Sequence, residues 1–413
     1  MRRWQYQLAL GLLFPWLVWD AWRRHRHARP GQCRLFEQFG RLRAGLPTGG
    51  LWLHAVSLGE TRAAALLVDE LRARWPDLPI VLSTTTETGA EAARALDLPH
   101  FYAPYDYARV QRRVLGRLKP RAIVIMETEL WPNLMREANR AGVPVLIANA
   151  RLSDRSFGRY RRWGGRLLRE VLAGVGGVCA QSPQDRERFA TLGASRVLDC
   201  GNLKFDLPVA ETIPPVPPGR AHTWLAASTH PGEEALVLRA HARIRERYPD
   251  ARLILVPRHP ERADEVLRLA ESSGVSVGRW HGGTPPAERP DVEVIDRAGV
   301  LAARFGEVPV VFMGGSLVPT GGHNPLEPAA VGRAVLTGPH VHNFRGVFAA
   351  LADAGGEREV ADAGSLAAAV VACFEAPAAW AAAGERARAM IGANRGTAAR
   401  LADQLAPWID ARR

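Results

Sequence analysis

Cysteine is scarce in this chain. Four cysteines, Cys33, Cys179, Cys200 and Cys373, are scattered over 413 residues, and none stands at a metal-ligand spacing from another. That argues against a zinc site, and so few thiols in so long a chain predict a cytosolic, reduced protein. Lysine is rare beside arginine, no basic run is interleaved with aromatics, and no zinc-finger or RNA-recognition signature occurs. A nucleic-acid partner is therefore not expected, although the net charge is +12. An anionic substrate or an anionic membrane surface remains to match that charge. No short-period repeat is present.

Core-forming material is plentiful. Hydrophobic residues make up 47% of the chain, and at roughly 150 residues per domain its length predicts two or three domains. Apolar runs at 51–56 (LWLHAV), 79–83, 122–126 (AIVIM), 144–148 and 177–180 alternate with helical stretches near 60–75, 89–96 and 132–141. Residues 206–220 (DLPVAETIPPVPPGR) are proline-rich and aperiodic, which predicts an interdomain linker. The alternation restarts with runs at 223–227, 252–256, 292–295, 308–312 and 334–336, a helix near 233–247 and a helical tail from 378. Short strands alternating with helices predict parallel sheets with crossover helices. The expected fold is α/β, with two Rossmann-like domains facing a cleft and ligands at the carboxyl ends of the strands.

The N-terminus differs from the rest. Residues 8–19 (LALGLLFPWLVW) are apolar, with Trp4, Tyr6, Trp16, Trp19 and Trp22 in or around them. The run is shorter than the roughly 20 residues of a full span, so it predicts either a marginal span or a helix lying in the interface. Arg2 and Arg3 precede it, and Arg23, Arg24, Arg26, Arg29 and Arg34 follow. No small-x-small cleavage site follows, so a membrane anchor is expected rather than a removed signal, with the body of the chain on the cytoplasmic side.

Candidate site residues gather where predicted strands end. The segment MGGSLVPTGGHNPLEPAAVG, residues 313–332, follows an apolar run and leads into an alanine-rich helix. Gly314 and Gly315 permit close approach of a ligand, and a helix start there suits a phosphate. Ser316, His323 and Asn324 accompany them, and Glu327 can accept two ribose hydroxyls. Glu60 ends the first strand, where a carboxylate serves either as a general base or only as a complement to the helix dipole. Glu127 and Glu129 follow the fourth run, beside Trp131 and Pro132. Lys204, Ser228, Arg258 and His259 also stand at segment ends, and an arginine fork there suits an oxyanion. Taken singly, each reads equally well as a surface residue; their recurrence at strand ends singles them out.

In this order the chain carries WLHAVSLGE, STTTETGAE, YAPYD, ETELWPN, NARLSDRS, GNLKFD, AASTHPGEE, PRHPER and GGSLVPTGGHNPLEPA. Together they resemble the 3-deoxy-D-manno-octulosonate (Kdo) transferases of lipopolysaccharide synthesis. The resemblance implies a GT-B glycosyltransferase fold: an anchor at 1–29, an acceptor domain at 30–205, the linker, a nucleotide-sugar domain at 221–390, and a helix at 391–413 returning to the first domain. It implies inverting transfer of Kdo from CMP-Kdo to a phosphorylated lipid A precursor (lipid IVA), with no metal and no cofactor. It places the base at Glu60 and a second required glutamate at Glu127, with Glu129 next to it, and nucleotide contacts in the PRH, GGS and NPLEP segments. Two other readings are a non-enzymatic, membrane-anchored nucleotide-binding scaffold and a sugar-nucleotide epimerase of the same fold.

Overall fold

A computed structural model describes residues 2–25, 34–280, 290–297 and 299–411. Arg26, Arg29 and Cys33 lie outside the described residues. The chain divides into two compact units, one of residues 1–206 with 395–413, the other of residues 207–394.

The first unit is built on seven strands: β1 (Leu51–His54), β2 (Ile80–Thr84), β3 (His100–Tyr102), β4 (Ala122–Met126), β5 (Val145–Ala150), β6 (Gly177–Ala180) and β7 (Val197–Asp199). They form one sheet in the order β3-β2-β1-β4-β5-β6-β7, every pair parallel. β1, β2, β4 and β5 are buried at every residue, which is why they read as unbroken apolar runs rather than alternating ones. Two apolar layers cover the sheet, one around Trp52, Phe101 and Ile147, the other around Leu53, Leu67 and Leu405. Leu401 and Leu405 come from the helix Thr397–Asp410. The Asp206 carboxylate accepts the backbone N–H groups of Gly396, Thr397 and Ala398, so it caps that helix.

The second unit repeats the plan with β8 (Thr223–Thr229), β9 (Arg252–Pro257), β10 (Val277–Trp280), β11 (Val292–Ile295), β12 (Val310–Met313), β13 (Ala334–Thr337) and β14 (Glu357–Glu359). Their order is β10-β11-β9-β8-β12-β13-β14, again all parallel. Trp224, Leu255, Phe312 and Val370 lie in its core.

The N-terminal segment is a helix, α1 (Arg3–His25), longer than the apolar run that announces it. One side is seated on the first unit by the YAPYDY segment. Tyr107 donates to the Leu10 carbonyl at 2.6 Å, Tyr105 to that of Leu17 at 3.2 Å, and Tyr6 to Asp106 at 2.8 Å. Asp106 also accepts the N–H groups of Asn133 and Leu134, and so ties α1 to the start of the helix Pro132–Arg140. The other side leaves Trp4, Leu8, Leu12, Trp16 and Trp19 each more than half exposed. Among the described residues no single helix is long and apolar enough to cross a membrane.

Candidate active site

In the first unit, chemistry collects at the carboxyl ends of β1 and β4, which pair directly in the sheet. β1 runs into the helix α2 (Leu58–Arg74), whose N-cap is Ser57. SLGE is a capping-box sequence: the Glu60 N–H donates to Ser57 Oγ at 3.3 Å, while the Glu60 carboxylate accepts Val56 N–H at 2.7 Å and the Ser57 hydroxyl at 3.0 Å. Glu60 therefore does help to start a helix. Burial nevertheless raises its pKa to about 7, the two hydrogen bonds oppose that rise, and the neighbouring Glu127 and Glu129 charges add to it. A carboxyl poised near neutrality can accept a proton from a hydroxyl.

Glu127 has φ +54°, a left-handed conformation that costs a side-chain-bearing residue about 1–3 kcal/mol and that clusters at functional sites. Its backbone is held there by the Ala148 carbonyl at 2.9 Å, and the Thr128 hydroxyl donates to the Arg151 carbonyl. Glu129 accepts the Trp131 indole N–H at 2.8 Å, and burial, then Glu127, pushes its pKa up. Lys204 lies within the field of Glu127 and Arg151; burial lowers its pKa, and Glu127 partly restores it. The structure thus brings Glu60, Glu127, Glu129 and Lys204 together in the first unit.

Two residues here escaped the sequence. His54 ends β1, is fully buried, shares a 2.9 Å hydrogen bond with Ser83 and meets the Trp131 ring edge-on at 5.5 Å. Burial lowers its pKa to about 4, which keeps it neutral. Asn149, φ +53°, buried, accepts the Leu203 N–H at 3.0 Å and so positions the turn that carries Lys204. A histidine inside an apolar run and an asparagine near the end of another were the available signals.

In the second unit the corresponding ends are those of β8 and β12, also neighbours. Ser228 takes φ +57° at a register break in β8. A Cβ on Gly314 would stand 2.6 Å from the Ser228 carbonyl oxygen, so that position requires glycine. The helix Glu233–Arg247 follows β8. The buried Glu233 carboxylate accepts four backbone N–H groups: His230 at 3.0 Å, Gly315 at 2.6 Å, Ser316 at 2.9 Å and Leu317 at 2.8 Å. The glycine-loop amides expected to face a phosphate are occupied by the protein's own anion. The Ser316 hydroxyl is committed too, donating to the Met313 carbonyl at 2.5 Å and accepting the Gly338 N–H at 2.8 Å. Glu233 was missed because a glutamate in a first helical turn ordinarily reads as a dipole complement.

Beside this brace lie three imidazoles. His230 and His323 stack with ring centres 5.0 Å apart and share an Nε2–Nε2 hydrogen bond of 2.8 Å, and His259 meets His230 edge-on at 5.9 Å. Burial, then the charges of His230, Arg258 and His259, lowers the His323 pKa to about 4. The Arg258 and His259 side chains are exposed. Glu327 is exposed in the short helix Leu326–Ala330, shorter than the expected alanine-rich helix, and accepts Asn324 Nδ2 at 3.3 Å. Arginine, imidazoles and an accessible carboxylate together suit an anionic, hydroxylated ligand.

The model of the family described as 3-deoxy-D-manno-octulosonic-acid transferase (kdotransferase) matches residues 33–207. The 3-deoxy-D-manno-octulosonic acid transferase of Bordetella pertussis is 36% identical over 99% of this chain and 100% of its own length. The chain belongs to the Kdo transferase family. The Haemophilus influenzae protein of the same name is 36% identical over 88% of each chain. Among solved structures, the UDP-GlcNAc 2-epimerase of Neisseria meningitidis, 12% identical, covers 87% of this chain with a TM-score of 0.57. That likeness shows the fold alone: two parallel-sheet units of GT-B type. The epimerase reading draws nothing more from it.

In this Kdo transferase family member, Glu233 carries a structural test. Glu233→Ala leaves four buried N–H groups without an acceptor, at a cost of about 1–3 kcal/mol for each that water does not reach. The urea unfolding midpoint of the second unit falls clearly while that of the first is unchanged. An unaltered midpoint contradicts the brace.

Proposed function

We propose that the protein transfers Kdo from CMP-Kdo to the phosphorylated lipid A precursor, with inversion. The observation that carries the reading is the half-buried Glu60 carboxyl, bonded to Val56 and Ser57 beside Glu127 and held near neutrality, in a chain whose family membership makes it a glycosyltransferase. Glu60 takes the proton of the acceptor hydroxyl as its oxygen attacks the anomeric carbon of Kdo. The bond from that carbon to the phosphate oxygen breaks, and CMP leaves with the electron pair. Glu127 keeps the Glu60 proton affinity high, and Lys204 offsets the charge that the carboxylates share. Arg258, His259 and Ser228 face the donor phosphate and carboxylate, Glu327 with Asn324 takes the ribose, and Gly314 to Ser316 shape the loop between them. The base belongs to one unit and the nucleotide residues to the other, so neither unit suffices alone. No cofactor or metal is assigned a role.

The acid–base assignment predicts a pH profile. Below its pKa of about 7 the Glu60 carboxyl is protonated and cannot accept a proton. The rate of CMP release in the presence of acceptor therefore rises from about pH 6 to about pH 8 and levels off. Glu60→Gln lowers turnover by about 10² to 10⁴ and flattens that rise. Turnover within a few-fold of wild type removes Glu60 from the mechanism.

We propose further that α1 lies in the cytoplasmic face of the membrane rather than across it. Its exposed Trp4, Leu8, Leu12, Trp16 and Trp19 and the flanking arginines support this. Replacing Leu12 and Trp16 together by glutamate, both exposed, abolishes co-sedimentation with anionic vesicles and leaves the circular dichroism spectrum unchanged. Undiminished co-sedimentation sinks the interfacial reading.

A further inference from the structure

An apolar trough of about 690 Å³ opens on the first unit, walled by α1, the start of the helix Pro132–Arg140, and the helices Asp154–Trp163 and Gly165–Ala173. Its lining includes Tyr6, Leu130, Tyr160, Trp163, Leu167 and Val171. The volume lies within the roughly 300–1,000 Å³ of small-molecule sites, and such a lining suits hydrocarbon. Neither the base nor the nucleotide residues use it.

We propose that this trough holds one acyl chain of the phosphorylated glycolipid acceptor; the inference rests on the functional reading above. Three observations select that occupant. First, the trough begins at the candidate active site. Leu130 and Pro132 directly follow Glu127 and Glu129, and Trp131 between them bonds Glu129 and abuts His54. A chain lying in the trough has its sugar end beside the carboxylates, where the acceptor hydroxyl has to be. Bulk phospholipid has no reason to reach that loop. Second, the far wall is α1, through Gln5 and Tyr6, and the outer face of α1 carries the exposed apolar stripe. A hydrocarbon chain passes from the membrane surface into the trough along apolar surface, which keeps it out of water. Third, the rim is cationic. Arg159 borders the trough, and an adjoining cavity of about 280 Å³ shares Tyr6, Leu167 and Val171 and adds Arg3 and Arg136, along with Glu170, whose carboxylate is already paired with Arg166. The Nη1 of Arg136 is buried without a hydrogen-bond partner among the described residues. An acceptor phosphate supplies that partner, since guanidinium pairs strongly with phosphate.

Trp163, 66% exposed, forms an outer wall of the trough. Trp163→Glu sets a charge against the hydrocarbon, and Leu167→Phe fills the trough from its floor. The measurement is the kcat/KM ratio of acylated acceptor to the same phosphorylated disaccharide freed of its chains. Loss of even two buried methylenes lowers that ratio roughly tenfold. Both variants are expected to show this drop, Trp163→Glu serving if Leu167→Phe does not fold. A ratio unchanged in Trp163→Glu overturns the proposal, and so does an equal fall on both acceptors.

A second readout needs no transfer. An acceptor analogue with a diazirine at the end of one acyl chain is irradiated with the full-length protein on vesicles. Adducts are expected within residues 160–171, displaced by unlabelled acceptor but not by excess phosphatidylglycerol. Adducts confined to the exposed face of α1 at Leu8, Leu12 and Trp16, or displaced equally by phosphatidylglycerol, overturn the assignment. If the wild type transfers Kdo to neither acceptor, the functional reading fails, and the adduct map still decides the trough.

Discussion

The pairing of β1 with β4 in parallel register is the constraint on which the first unit's chemistry depends. His54 stands opposite Ile125 in that register, so the loops that leave the two strands emerge abreast. Glu60 and Glu127 then share one partly dry space, and the Glu127 charge makes ionisation of Glu60 more costly. Burial first, and the Glu127 charge after it, leave Glu60 with a carboxyl of near-neutral pKa. The left-handed turn at Glu127, the bond from Thr128 to the Arg151 carbonyl and the Asn149 contact beneath Lys204 all serve to hold that crowding in place.

The second sheet uses the same constraint for a different end. There β8 pairs with β12, and the helix glutamate after β8 reaches across to the neighbouring loop. Glu60 has one backbone amide, one hydroxyl and two carboxylate neighbours. Glu233 has four backbone amides. The four amides on Glu233 fix the glycine loop. With its amides filled internally, the glycine loop contributes shape, and the exposed cation near it is Arg258.

Much of the fold was legible because buried parallel strands must be apolar on both faces. The four strands that the sequence did not announce, β3, β7, β10 and β14, are the four sheet edges. An edge pairs on one side only, and β14, reading Glu-Arg-Glu, needs no apolar run to do so. The site's layout was legible in part for a similar reason: residues at strand ends are ordered by topology, so Glu60, Glu127 and Lys204, singled out one by one, lie together in the first unit. Ser316 was read as a ligand contact, but a hydroxyl in a tight loop is as readily consumed by its own backbone. Glu233 and the trough were not legible, because each depends on segments far apart in the chain; Glu233 meets amides more than eighty residues away.

The most direct test of the account follows both products of one reaction. Full-length protein is incubated with CMP-Kdo and the phosphorylated lipid A precursor, and lipid mass and free CMP are measured together over time. The account predicts lipid that gains Kdo, with one CMP released for each Kdo attached. CMP released while the lipid mass stays unchanged, or CMP-Kdo left intact beside unmodified lipid, would contradict it.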